Sequence, residues 1–134
     1  TEIAKELLLL GGKSSKVVFT PHLVPMNRGI LSTCYGRLKG NISSSEMTAL
    51  YKDFYKGKPF VRVLDNGVFP ETRNVRQSNF CDIGLAVDET SSSLIAVSAI
   101  DNLMKGAASQ AVQNMNLMLG YDEKSGLDFT PMAP

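Results

Sequence analysis

The spacing of apolar positions along this chain changes several times, and each change marks an element. Behind Thr1 and Glu2, residues Ile3, Leu7 and Leu10 share a helical face until Gly11-Gly12 stops the run. Val17-Val18-Phe19-Thr20 reads as a short strand ended by Pro21. From Pro21 to Gly29 the two prolines each lack a donor and restrict the residue before them, so regular structure is excluded. Ile30 to Leu38 resumes as a strand, and Gly40-Asn41 ends it.

Ser43 and Glu46 then stand at the S-x-x-E spacing of a capping box. Met47, Leu50, Tyr51, Phe54 and Tyr55 follow at i, i+3, i+4, i+7 and i+8, which predicts one buried stripe, and Gly57 closes the helix. Phe60 to Leu64 reads as a strand and Asp65-Asn66-Gly67 as a turn. Val68 to Cys81 is irregular, polar and proline-containing, the kind of long structured loop that often carries function. Strict alternation from Asp82 to Asp88 puts Ile83, Leu85 and Val87 on one sheet face. A turn through Glu89 to Ser92 leads to the apolar run Leu94 to Ile100, predicting a hairpin. The last helix is expected from Asp101 or Asn102 to Leu119, closed by Gly120, with a length of about 27 Å. Small residues from Gly106 to Ser109 in its first turns would admit a close backbone or a flat ligand.

These elements predict a single α+β domain over residues 1–134, with a mixed, largely antiparallel sheet and helices on one face. The other face, apolar at Ile95 and Val97, would then be covered by a partner subunit.

Composition narrows the function classes. Lys plus Arg total 14 against 13 acids, so there is no electrostatic footprint for nucleic acid or an acidic membrane. The Leu7 to Leu10 run is too short to span a bilayer, and no cationic leader precedes it. A chain opening at Thr1 directly in helical pattern reads as a segment of something longer. Cys34 and Cys81 have neither CxxC nor metal-ligand spacing, so no metal site is expected and a reduced, cytoplasmic compartment fits. Both lie in predicted strands, where cysteine behaves as a small buried hydrophobe rather than a nucleophile.

His22, the only histidine, sits between two prolines after a predicted strand. It is either an incidental loop residue or a general acid/base, since imidazole exchanges protons near neutral pH. Arg28 is either solvated or an anion clamp with a planar fork matching carboxylate or phosphate. Ser78 and Asn79, with Arg73 and Arg76 nearby, form a second polar cluster whose default reading is turn chemistry. Lys105 to Ala108 near a helix start, with Asp101, Asn102, Gln110, Gln113 and Asn114, adds polar groups to the final segment.

The run Pro21-His22-Leu23-Val24-Pro25-Met26-Asn27-Arg28-Gly29-Ile30 closely resembles the signature loop of the N-acetyl-gamma-glutamyl-phosphate reductases. So, in the expected order, do Pro59 to Val63, Pro70-Glu71-Thr72, Ser78 to Gly84, and Ile100 to Ala108 leading into Gln110 to Asn116. The resemblance implies a domain like the C-terminal domain of glyceraldehyde-3-phosphate dehydrogenase. It also implies reduction of an acyl phosphate to an aldehyde with NADPH in arginine biosynthesis, through attack by a cysteine thiolate. His22 matches the catalytic histidine, and Arg28 a residue beside the substrate's carboxylate or phosphate. Ser78 and Asn79 fall in a loop bordering the substrate, and Asn102, Gly106 and Gln113 approach the nicotinamide end of NADP. The expected partners are the acyl phosphate, a dinucleotide-binding domain of the same protein, and a second copy in a homodimer or higher homo-oligomer.

The departures are specific. The nucleophilic cysteine's Pro-Gly-Cys-Tyr context and the Gly-rich dinucleotide fingerprint are absent, so the nucleotide-binding domain and the nucleophile are expected outside these residues. Gln77 stands where many relatives have glycine. An aspartate-semialdehyde dehydrogenase domain and a purely structural dimerisation module are the competing readings.

Overall fold

A computed structural model describes residues 2–11 and 16–131. Four strands form one sheet in the order β1-β4-β3-β2, with β1 Ile30–Arg37, β2 Val61–Val63, β3 Cys81–Asp88 and β4 Ser93–Ile100. The three-residue β2 runs parallel to β3, while the β3/β4 hairpin and the β1/β4 pair are antiparallel. This is the mixed, largely antiparallel α+β sheet that the pattern predicts.

Register decides the two faces. Cys81↔Ile100, Ile83↔Ser98, Leu85↔Ala96 and Val87↔Leu94 pair across the hairpin, so these residues share a face. Met47 from α2 (Ser44–Phe54) packs onto Ile83 and Leu85 there, with Leu94, Ala96, Tyr51 and Tyr55 around them. Gly106, in the final helical segment, sits against Ile100 and Ile30 on the same face. Helices therefore cover one side. On the other, the loop after β2 lies directly on the hairpin. A Cβ on Gly84 would meet the Val68 carbonyl oxygen at 2.6 Å and Pro70 Cδ at 2.9 Å. Farther along that face Leu31 and Tyr35 are exposed, beside half-buried Ile95 and Val97.

The capping box forms as its spacing predicts. Ser43 Oγ accepts from the Glu46 amide at 3.3 Å, and the Glu46 carboxylate accepts from the Ser43 amide at 2.9 Å. The stripe behind it is narrower than predicted. Met47, Tyr51 and Tyr55, one i+4 row, face the sheet, whereas Leu50 and Phe54 are 57% and 76% exposed. The sheet face beneath the helix, Ile83 and Leu85 with Leu94 and Ala96 beside them, meets this row and leaves the neighbouring one exposed.

Two further expectations are corrected. Val17 to Thr20 forms no strand, and Val18 is 91% exposed. A β-branched run suits a sheet surface but does not supply a neighbour to pair with. The last helix does not begin as an α-helix at Asp101. Met104–Ala108 is a π turn, in which Gly106 and Ala108 donate to the carbonyls of Asp101 and Leu103. Only Ser109–Leu119 (α3) is α-helical, about 16 Å long, and it ends at Gly120 with φ +74° as expected. The first helix, Glu2–Gly11 (α1), has no buried residue, and the Gly12 half of its stop signal lies outside the described residues.

Candidate active site

The segment from Lys16 to Asn27 runs over the surface, with only Val17 half-buried, and His22 is exposed within it. His22 Nδ1 lies 3.1 Å from the Thr20 carbonyl oxygen. A carbonyl only accepts, so Nδ1 is the donor here, and in the neutral tautomer that fits this contact the lone pair is on Nε2.

What holds this loop is its stem. Arg28 donates from Nε at 3.2 Å and Nη2 at 2.6 Å to one oxygen of Asp101, a carboxylate with no solvent exposure. The next residue, Gly29, donates its amide to Asn102 Oδ1 at 2.8 Å. Gly29 has φ +110°, and a Cβ there would lie 2.6 Å from Thr72 Cβ. Both its conformation and its close approach to Thr72 require glycine.

Asp101 joins three segments. Oδ2 also accepts the Gln77 amide at 2.7 Å, and Oδ1 accepts the amides of Leu103 and Met104 at 2.8 and 2.9 Å. Burial by itself would raise this carboxyl's pKa. The donors from Gln77, Arg28, Met104 and Leu103 outweigh it and hold the group below its ordinary value. Gln77 has φ +58°, so a left-handed conformation that favours glycine is taken here by a glutamine.

Of the remaining predicted residues, Ser78, Asn79 and Gln113 face inward. Ser78 is fully buried, donates to the Val75 carbonyl at 2.8 Å and accepts from the Phe80 amide at 3.3 Å. Asn79, also fully buried, donates to Gln113 Oε1 at 2.9 Å and accepts from Ser109 at 2.8 Å. Gln113 is buried, accepts from Lys105 Nζ at 2.6 Å and donates to Glu123 at 2.6 Å. In this geometry Ser78 closes the 72–80 loop on itself, and Asn79 with Gln113 and Ser109 ties that loop to α3. Asn102 is half-buried, with its oxygen on the loop stem. Gly106 is exposed, but a Cβ there would press on the Asp101 carbonyl oxygen at 3.3 Å.

Cys34 is exposed on an edge strand, contrary to the expectation of a buried one, and burial pushes the half-buried Cys81 thiol up. Burial likewise pushes the Lys105 ammonium down, opposed by Cys81 and Glu123. No cluster of metal-ligating side chains occurs among the described residues. No helix among them is long and apolar enough to cross a membrane.

Sequence reading underrates two residues. Asp101 follows an apolar strand and precedes a helical segment, the position of an N-terminal cap, and that signal was available. Arg76 carries no such signal. Its position beside the histidine loop depends on the turn at Gln77.

Residues 1–102 match the family described as semialdehyde dehydrogenase, dimerisation domain, and the chain belongs to that family. It is 60% identical over 133 residues to the N-acetyl-gamma-glutamyl-phosphate reductase of Geobacter metallireducens and 57% identical to that of a Geobacter sp.. Each alignment covers 99% of this chain and 38% of the relative, so the chain spans well under half the length of those proteins. Among solved structures it is similar to aspartate semialdehyde dehydrogenase II from Vibrio cholerae, with TM-score 0.58 and 21% identity over 72% of this chain and 29% of that one. At that identity the likeness concerns the fold.

Proposed function

We propose that this chain supplies the proton-handling part of an NADP-dependent reductase site. The reaction is conversion of N-acetyl-gamma-glutamyl phosphate to N-acetylglutamate semialdehyde and phosphate, a step of cytoplasmic arginine biosynthesis. The observation that carries this reading is the histidine loop: His22 stands free at the surface while Arg28 and Gly29 fasten the stem to Asp101 and Asn102. Near-complete alignment of the chain with reductases of that name supports it.

With Nδ1 committed to Thr20, His22 Nε2 can take a proton from an attacking thiol and return it to the oxygen of the reduced carbon. The nucleophile and the dinucleotide-binding domain belong to sequence outside these 134 residues. NADP supplies the hydride. From this chain, the Asn102 amide nitrogen and the exposed backbone at Gly106 meet its nicotinamide end, while Gln113 acts behind them by holding Asn79 and Lys105. Arg28 borders the substrate with the guanidinium edge that Asp101 leaves free. Ser78 and Asn79 shape the site from inside. The uncovered sheet face, with Leu31, Tyr35, Ile95 and Val97, is where a second copy docks in a homodimer.

The deciding experiment is His22→Asn in a protein that joins this segment to its dinucleotide-binding domain. Removing a positioned acid/base lowers kcat by roughly 10²–10⁴-fold. Because His22 is exposed, the urea midpoint stays where it was. Near-normal turnover would return His22 to an incidental loop residue and leave the dimerisation-module reading standing. Faster turnover of the aspartyl than the acetylglutamyl phosphate would favour the other dehydrogenase.

A further inference from the structure

Between the loop stem and the 72–76 turn lies an open cleft of about 330 Å³. Arg28, Arg73 and Arg76 all line it, together with Asn27 and Thr72, and no acidic side chain does so among the described residues. The three cations are not equivalent. The Arg28 guanidinium is bound from behind by buried Asp101, and Arg73 Nε is paired with Glu71 at 2.5 Å. Arg76 has no ion pair or hydrogen bond among the described residues.

Arg76 is also held on a rigid base. Val75 before it and Ser78 after it have no solvent exposure. Gln77 takes a left-handed conformation, with its amide bonded to Asp101 at 2.7 Å. An exposed arginine that follows buried Val75 and precedes a turn whose amide is bonded to the carboxylate holding the loop stem has its backbone fixed at the edge of the cleft. Its fork matches an oxyanion, phosphate or carboxylate, better than a point charge would.

We infer that Arg76 is the oxyanion-binding residue of this cleft, with Arg28 as the fixed wall against which the anion sits. The inference rests on the reductase reading for the anion's biological source, an acyl phosphate that also carries a carboxylate. The site itself does not require that reading, and binding tests it without any turnover.

The test is titration of the 134-residue chain with inorganic phosphate at constant ionic strength, followed by amide NMR shifts. A parallel arm uses N-acetylglutamate, which carries carboxylates but no phosphate. We expect saturable shifts at Asn27, Thr72 and Gln77, with Kd on the order of millimolar. Arg76→Gln should weaken binding about tenfold, and Arg76→Lys by less. Arg73→Gln, which removes an already paired cation, should change it less than about twofold. The tighter arm identifies the group as phosphate or carboxylate. Unchanged affinity in Arg76→Gln overturns the inference, as does an absence of saturable shifts in both arms. Normal binding with an inactive joined enzyme would sink the reductase reading and leave the site intact.

Discussion

Replacing Asp101 with Asn keeps the shape of the side chain and removes one acceptor oxygen, so the loss can be worked from the bonds. Oδ2 accepts three donors, two from Arg28 and one from Gln77, and Oδ1 accepts the amides of Leu103 and Met104. An asparagine satisfies one side only. If its oxygen faces Leu103 and Met104, its NH2 meets the donors of Arg28 and Gln77. Breaking a buried charge pair by removing one partner costs about 3–5 kcal/mol. The Arg28 side chain retains 25% exposure and regains some water, which places the expected loss near the low end, about 3 kcal/mol. With an unfolding entropy of roughly 2.1 cal/mol/K per residue, a chain of 134 residues should lose about 10 °C in Tm. Urea unfolding of wild type, Asp101→Asn, Arg28→Met and the double variant measures the coupling, and the double loss should fall well short of the sum. Acidity gives a second check. The folded carboxyl is held below its ordinary 3.8, so its stabilisation is present above that value and lost as pH falls through the folded one. The gap between wild type and Asp101→Asn should therefore close in that acid window. A variant within about 0.5 kcal/mol of wild type at neutral pH, or an additive cycle, would refute the clamp.

Two backbone predictions follow from the same neighbourhood. Gln77→Gly removes a left-handed non-glycine strain of about 1–2 kcal/mol, partly offset by glycine's greater freedom when unfolded, so a gain of about 0.5–1 kcal/mol is expected. A fall in Tm would show that the Gln77 side chain stabilises the turn. Gly84→Ala forces a methyl against the Val68 carbonyl and Pro70 at distances below 3.0 Å, and should cost about 2–3 kcal/mol in urea. An unchanged midpoint would mean that the loop is not seated on the hairpin.

The parts of the fold legible in the sequence are those whose signals are local. Ser43 and Glu46 satisfy each other within one turn, and alternation from Asp82 to Asp88 fixes which hairpin side chains share a face. The parts that were not legible depend on neighbours. Whether Val17 to Thr20 pairs, and whether Leu50 and Phe54 are covered, depends on where the sheet ends. The π turn at Met104–Ala108 is another such case. Its small residues read as helix, and Asp101 caps the segment at the ordinary i+2 and i+3 amides, but the Gly106 and Ala108 amides reach back five residues to the carbonyls of Asp101 and Leu103.

For the site the division is sharper, because residue type does not say which way a polar side chain points. His22, Arg28, Ser78, Asn79, Asn102 and Gln113 are alike in pattern, polar residues in loops or near a helix start. Packing separates them. Ser78, Asn79 and Gln113 are buried, Ser78 bonded within its own loop and Asn79 bonded to Gln113, so a ligand would have to break those bonds to reach them. Arg28 is intermediate, since its charge is engaged by Asp101 while one edge of its fork still lines the cleft. His22 and Arg76 are both exposed, one in a loop with a clamped stem and the other beside the Gln77 turn. Both constraints converge on Asp101, a residue with no solvent exposure. The placement of the histidine-loop stem and of the Gln77 turn is therefore set by one fully buried carboxylate. A sequence motif records the histidine and the arginine, but their geometry depends on this third, buried group.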